Sequence, residues 1–105
     1  MLIAGDCCRL PSRRGARGRE QRGARYGVVV QSDRLHLSTV IIAPTSTSAR
    51  PAPHRAQVDL GGERTQVLIE QLRAVDAEAL GSPVARCGPE SMSEIRAAID
   101  YVFDR

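Results

Sequence analysis

Two short runs of β-branched residues decide the fold class of this chain. Residues 26–31 contain three consecutive valines, and residues 39–43 contain Val40, Ile41 and Ile42 in a row. Such runs favour buried β-strands over helices of the same short length. We therefore predict a strand in each run, the second ending at Pro44, whose nitrogen cannot donate to a strand ladder. The chain is expected to be built around a β-sheet.

A hairpin is indicated further along the chain. Ala56, Val58 and Leu60 alternate with polar residues, which is the pattern of a strand with one solvated face. Gly61-Gly62 supplies a tight turn into a partner strand within residues 65–72. The other expectations are a strand within residues 2–10, a loop at 45–54, a helical turn within 76–80 and a strand within 82–87.

The last part of the chain is predicted to be an amphipathic helix. Pro89 suits a first helical turn, and Met92, Ile95 and Ile99 recur at three- and four-residue spacing. Five or six short strands before one helix predict a mainly β (α+β) fold, in which a small, strongly bent antiparallel β-barrel is capped by the C-terminal helix. A length of 105 residues is expected to form one domain spanning 1–105.

Positive charge is concentrated in one segment. Residues 9–25 hold seven arginines and the single acid Glu20, a net charge of +6 that leaves −3 for the rest of the chain. Glycines and few apolar residues predict a mobile basic loop at about 11–25. Arginine binds phosphate through two planar donors and stacks on bases, so RNA or DNA is an expected partner. A solvated loop without a ligand is the alternative.

Composition excludes several classes of function. The chain has no lysine, which excludes a Schiff-base amine and the lysine-dependent phosphate loop. Its three cysteines show no C-x-x-C spacing, so no metal site is predicted, and no cofactor is expected. No apolar run approaches the roughly 18 residues of a membrane span. Because the N-terminus lacks the basic lead of a secretory signal, the cytoplasm is the expected location.

The sequence around the basic loop resembles a known family. Residues 18–25 read GREQRGAR and precede the valine-rich strand and Gln31-Ser32-Asp33. This stretch is similar to the G-S-E-Q-x-G-x-R signature, strand and following acid of the MazF/PemK toxins. Those proteins are endoribonucleases of type II toxin–antitoxin pairs that act without the ribosome. Residues 42–46, 69–76 and 92–103 resemble later segments of the same family, in the same order.

This resemblance implies a fold and an activity. The fold is the SH3-like barrel of the MazF/CcdB type, and the activity is metal-independent, sequence-specific cleavage of single-stranded RNA. Attack by a ribose 2′-hydroxyl gives a 2′,3′-cyclic phosphate and a 5′-hydroxyl, and the result is inhibition of translation and growth. The implied catalytic residues are Arg25, Ser46 and Glu20, and the implied RNA-binding residues are Gln21, Arg19, Arg22, Thr47, Glu70 and Gln71. A homodimer and an acidic antitoxin are the implied protein partners, and no membrane is involved.

Several departures and alternatives accompany the resemblance. Tyr26 replaces the proline of the family, and Ser46 replaces its catalytic threonine. The alternative function is a catalytically silent module that binds RNA or DNA, and inhibition of gyrase is a third option. Glu20 could merely offset its neighbouring arginines. His36 and His54 could form an imidazole acid–base pair, which would be a different cleavage chemistry.

Overall fold

The computed structural model describes residues 2–11 and 25–105. Within these ranges the chain forms seven strands and one α-helix. The strands are β1 (Asp6–Arg9), β2 (Tyr26–Val29), β3 (Thr39–Ser46), β4 (Arg55–Leu60), β5 (Glu63–Leu68), β6 (Arg73–Asp76) and β7 (Ala85–Arg86). Helix α1 spans Pro89–Val102, and short 3-10 helices lie at Ile69–Gln71 and Ala77–Ala79. The predicted basic loop at about 11–25 falls almost wholly outside the described residues.

All the strand pairs are antiparallel, and the sheet runs in the order β4-β5-β3-β2-β1-β7. The long strand β3 pairs with β6 along its first half and with β5 at its last two residues. Two strands thus share one edge of β3, and the sheet bends there. The predicted mainly β fold, with a strongly bent antiparallel sheet and a C-terminal helix, is confirmed.

The predicted end of the second strand was wrong, because β3 continues through Pro44 to Ser46. Val30 donates to the Ile41 carbonyl and Gln31 Oε1 accepts from the Ile41 N–H, so the polar backbone groups of Ile41 face β2. Alternation along the strand turns the nitrogen of Pro44 to the opposite edge. Pairing on that edge stops at Ile42 with β6 and resumes at Thr45 with β5, so the missing N–H breaks no ladder hydrogen bond.

The hairpin and the helix agree with the sequence, except that β5 ends at Leu68, where a 3-10 helix begins, and does not continue to Leu72. β4 and β5 pair in register around Gly61 and Gly62, whose φ angles of 59° and 82° are the left-handed values that this turn requires. Helix α1 begins at Pro89, as predicted, and no helix in the described part of the chain is long and apolar enough to cross a membrane. Strand β6 was not predicted, because its short sequence carries no β-branched run.

Two apolar clusters lie on the two faces of the sheet. One packs Ile95 and Ala98 of α1 against strand residues that include Val28, Val58 and Val67. The other, on the far face, groups Cys8, Leu10, Val29, Val40, Ile42 and Leu80. Strands β1, β2 and β3 contribute residues to both clusters, so these three strands are packed on both faces.

An ion pair between a buried carboxylate and an exposed arginine joins the first and last strands. Asp6 is fully buried, and its Oδ1 accepts from Arg86 Nε at 2.8 Å, while Oδ2 accepts from the Ile3 N–H at 2.9 Å. The Arg86 side chain is 62% exposed, so the guanidinium covers the carboxylate from the solvent side. This contact holds β7 to β1, which are paired through only two residues each.

Candidate active site

The register of β2 and β3 brings two candidate catalytic residues, Arg25 and Ser46, to neighbouring strand ends. Gly27 pairs with Pro44, so Arg25 lies two residues beyond this pair on one side of the ladder and Ser46 two residues beyond it on the other. Two hydrogen bonds hold this end of the ladder. Thr45 Oγ1 donates to the Tyr26 carbonyl at 3.2 Å, and the Leu10 N–H donates to the Arg25 carbonyl at 2.7 Å.

A cavity of about 400 Å³ opens at these strand ends. Arg25, Ser46 and Thr47 all line it, so the sequence-predicted guanidinium and hydroxyls share one pocket. The remaining lining comes from strands β1, β2, β3 and β7 and from the tip of the β4–β5 hairpin: Cys7, Tyr26, Thr45, Leu60, Gly61, Glu63, Thr65, Val84 and Ala85. Its volume lies within the range of about 300–1,000 Å³ that is usual for small-ligand sites.

The hydroxyl of Ser46 is oriented by the turn that follows β3. Its Oγ accepts from the Ser48 N–H at 3.2 Å and from the Ala49 N–H at 3.0 Å. A serine hydroxyl has two acceptor positions and one donor. Since two backbone amides occupy the acceptor positions, the group that remains is the O–H donor, 3.3 Å from Ser48 Oγ. The site therefore presents two hydrogen-bond donors, Arg25 and Ser46.

The other predicted site residues divide into two groups. Arg19, Glu20, Gln21 and Arg22 lie outside the described residues. Glu70 and Gln71 belong to the 3-10 helix after β5 and are not among the residues that line the cavity. The structure therefore brings together Arg25, Ser46 and Thr47 of the predicted set.

Glu70 is engaged in an ion pair of its own. Its Oε2 accepts from Arg55 Nη2 at 2.9 Å and from Arg55 Nε at 3.2 Å. Burial, the largest single effect, raises the pKa of Glu70. The hydrogen bond from Arg55, a backbone hydrogen bond and the nearby charges of Arg55 and His54 together lower that pKa below its usual value. Arg55 also donates to the Arg50 carbonyl at 2.8 Å, so this pair fixes the loop that follows Ser46.

The two histidines are not placed together at the cavity. His54 Nε2 lies 3.9 Å from Glu70 Oε1, in the 3-10 helix after β5. His36 lies in the exposed connection between β2 and β3 and lines a separate cavity. Among the described residues, neither imidazole lines the pocket that contains Arg25.

Cys7 lines the cavity as a protonated thiol. Burial, with the nearby Cys87 and Cys8, raises its pKa to about 11, and burial also raises the pKa of Cys87. A thiol with so high a pKa is a poor nucleophile at neutral pH, because the thiolate is the reactive form. Within residues 2–11 and 25–105 no group of three His, Cys, Asp or Glu side chains is arranged to hold a metal ion.

Several residues of the cavity were not predicted from the sequence. Glu63 and Leu60 belong to the hairpin whose strand β5 pairs with the end of β3, and Val84 is held at the cavity because its N–H donates to the Cys7 carbonyl at 2.8 Å. Tyr26 was noted only as a departure from the family proline. The sequence feature that could have predicted Tyr26 as a cavity residue is its position next to Arg25, at the start of a strand that leads into the site.

Comparison with known proteins identifies the family. A model of the PemK-like, MazF-like toxins of type II toxin–antitoxin systems matches residues 7–103. The chain belongs to this family. A curated relative in Mycobacterium tuberculosis, described as a candidate toxin, is 35% identical over 100 residues, which cover 94% of each chain.

Solved structures of MazF-like toxins share the fold. An endoribonuclease from a mycobacterial species, solved in complex with its cognate antitoxin, superimposes with a TM-score of 0.80 at 17% identity, covering 99% of this chain and 96% of the other. A MazF structure from Deinococcus radiodurans gives 0.76 at 18% identity, covering 99% and 97%. The predicted MazF type of barrel is thereby confirmed for this member of the family.

Proposed function

We propose that this toxin is a metal-independent endoribonuclease that cleaves single-stranded RNA at short specific sequences. The observation that carries the proposal is that Arg25 and Ser46 line one cavity at the ends of β2 and β3. Membership of the MazF-like toxins supports it, as does the fold that the chain shares with a mycobacterial endoribonuclease. RNA cleavage of this kind would inhibit translation and growth in the cytoplasm.

The reaction is an in-line displacement at phosphorus. The 2′-oxygen of the ribose forms a bond to the adjacent phosphorus, and the bond from phosphorus to the 5′-oxygen of the next nucleotide breaks. The 2′-hydroxyl loses its proton and the departing 5′-oxygen gains one. The products are a 2′,3′-cyclic phosphate and a 5′-hydroxyl. Extra negative charge develops on the phosphoryl oxygens in the transition state, so fixed donors accelerate the step.

Arg25 supplies the fixed positive charge. A guanidinium stays protonated at all physiological pH values, so it stabilises the developing charge and can donate to the leaving oxygen. It is half-buried, and its backbone is held by Leu10. A donor already in place needs no reorganisation during the reaction.

Ser46 supplies the second donor. With both acceptor positions of Oγ filled by backbone amides, its O–H is free to turn from Ser48 towards a phosphate oxygen. Ser46 thus keeps the hydroxyl of the family threonine in a donor role. We assign Glu20 to proton transfer or to positioning of the scissile phosphate, on the resemblance alone.

RNA contacts beyond the cavity are assigned on the same basis. Arg19, Arg22 and Thr47 would bind phosphates near the cut, and Gln21 would bind base edges. Glu70 and Gln71 would bind base edges from the 3-10 helix after β5. Both hydrogen bonds from Arg55 go to Oε2 of Glu70, so the other carboxylate oxygen, Oε1, has no contact with Arg55.

The proposed protein partners are a second copy of this toxin and an acidic antitoxin. A net charge of +6 in residues 9–25 attracts acidic polypeptides as well as RNA. The mycobacterial endoribonuclease with the same fold was solved with its cognate antitoxin. An antitoxin that covered the basic segment would block access of RNA to Arg25.

Incubation with a long single-stranded RNA in the presence of EDTA tests the proposal. We expect discrete fragments whose 5′ ends are labelled by polynucleotide kinase without phosphatase treatment, because the ends are hydroxyls. A mobility shift without fragments would support the silent binding module instead. If the protein causes no mobility shift and produces no fragments, the cavity has no nucleic-acid role and the proposal is contradicted.

A further inference from the structure

The cavity extends beyond the two donors to a mixed apolar and acidic wall. Tyr26, Leu60 and Val84 give it apolar surface, and Val84 is 62% exposed although it is a large hydrophobic residue. Glu63 adds a carboxylate. Neither the apolar wall nor the carboxylate would help to bind a phosphate alone, since a carboxylate repels the anion.

Tyr26 has the position of a stacking platform. It packs against the cluster that contains Val28 and Ile95, and it also lines the cavity. Its carbonyl accepts from Thr45 Oγ1, which fixes the backbone at that point. The other two aromatic residues, Tyr101 and Phe103, lie at the end of α1 and do not line this cavity. Among the described residues, Tyr26 is therefore the only ring available to a base at the site.

Glu63 offers two oxygen acceptors on the same cavity. Its carboxylate makes no ion pair or hydrogen bond with another described residue, while its backbone carbonyl accepts from Thr65 Oγ1 at 3.1 Å. The left-handed glycines of the turn set the path of the hairpin tip on which Glu63 lies. A carboxylate in that position selects a ligand with adjacent N–H donors.

We infer that Tyr26 and Glu63 form a base-binding subsite that holds an unstacked guanine next to the phosphate bound by Arg25 and Ser46. Among the four RNA bases, guanine presents two neighbouring N–H donors on its Watson–Crick edge, which match the two oxygens of one carboxylate. Bases of single-stranded RNA are commonly read by this combination of stacking and edge contacts. The inference rests on the proposed function and adds the base that the cavity selects.

The first test maps cut sites of the wild-type toxin on a long RNA. We expect guanine to be enriched at one fixed position beside the cut. Replacing it in a short substrate with inosine, which lacks the N2 amino group, should raise KM about tenfold, as is usual for the loss of a base-specific contact. Cut sites without a guanine preference would overturn the inference and leave the proposed nuclease intact.

The second test measures binding to 2′-fluoro RNA, which cannot be cut because it has no 2′-hydroxyl. Oligonucleotides that differ in one central base are compared by fluorescence anisotropy. Tyr26→Leu should weaken binding by about tenfold to a hundredfold, and Tyr26→Phe should bind far more tightly than Tyr26→Leu. Glu63→Gln should remove the preference for guanine over adenine.

Matched substitutions on α1 serve as controls. Tyr101→Leu removes an exposed ring and Glu90→Gln an exposed carboxylate, both outside the cavity. Equal binding by Tyr26→Leu and Tyr26→Phe, or an unchanged guanine preference in Glu63→Gln, would overturn the subsite. A wild type that shows guanine-dependent binding but cuts no RNA would instead contradict the proposed function.

Discussion

Arg25→Ala should reduce the rate of RNA cleavage by about a hundredfold to a thousandfold, which is the usual cost of removing one preorganised donor from a transition state. The loss should appear in kcat more than in KM, because the extra charge on phosphorus exists only in the transition state. Single-turnover cleavage of a short RNA that contains one mapped site measures it. The fold should survive, since the side chain of Arg25 lies at a strand end outside both apolar clusters.

Two further variants separate a specific role from a loss of charge. Arg96→Ala removes an exposed arginine from α1, outside the cavity, and should cleave at the wild-type rate. Arg25→Lys keeps the charge but loses the planar pair of donors, so an intermediate rate is expected. Cleavage by Arg25→Ala at the wild-type rate would remove Arg25 from the mechanism.

Arg86→Ala is expected to lower the free energy of unfolding by about 2 kcal/mol, because a buried carboxylate loses a charge-assisted hydrogen bond from a largely exposed guanidinium. Asp6 is fully buried and would keep only the hydrogen bond from the Ile3 N–H. For a chain of this size the melting temperature should fall by about 10 °C. Thermal unfolding followed by circular dichroism measures the change.

A second substitution identifies the cause of that loss. Asp6→Asn in the Arg86→Ala background removes the uncompensated charge, so the double variant should be more stable than Arg86→Ala alone. Arg96→Ala, at an exposed position that forms no ion pair with another described residue, should unfold at the wild-type temperature. A melting temperature for Arg86→Ala equal to that of Arg96→Ala would show that the pair contributes no stability.

The elements that the sequence predicted are those set by local chemistry. The valine run of β2, the Gly61-Gly62 hairpin and the periodic helix α1 each carry their signal within a few residues. Strand β6 and the last part of β3 carry no such local signal. The passage of β3 through Pro44 depends on a gap between two partner strands, which only the folded sheet creates.

The candidate site could be predicted only in part, because some of its residues are brought together only by the folded sheet. The resemblance pointed to Arg25, Ser46 and Thr47, and all three line the cavity. It gave no indication of Glu63, which reaches the site across 37 positions of sequence from Tyr26 through the fold of the hairpin. The burial of Asp6 was likewise invisible, because an acid after a glycine usually indicates an exposed turn.

The most direct test of the cleavage chemistry is a single 2′-deoxy substitution at the nucleotide on the 5′ side of a mapped cut. The RNA then lacks the one oxygen that is proposed to attack phosphorus, while every other contact with Arg25 and Ser46 remains possible. We predict that cleavage at that bond stops and that the unmodified RNA yields a 2′,3′-cyclic phosphate, identified by mass spectrometry. Continued cleavage of the 2′-deoxy bond would contradict this mechanism.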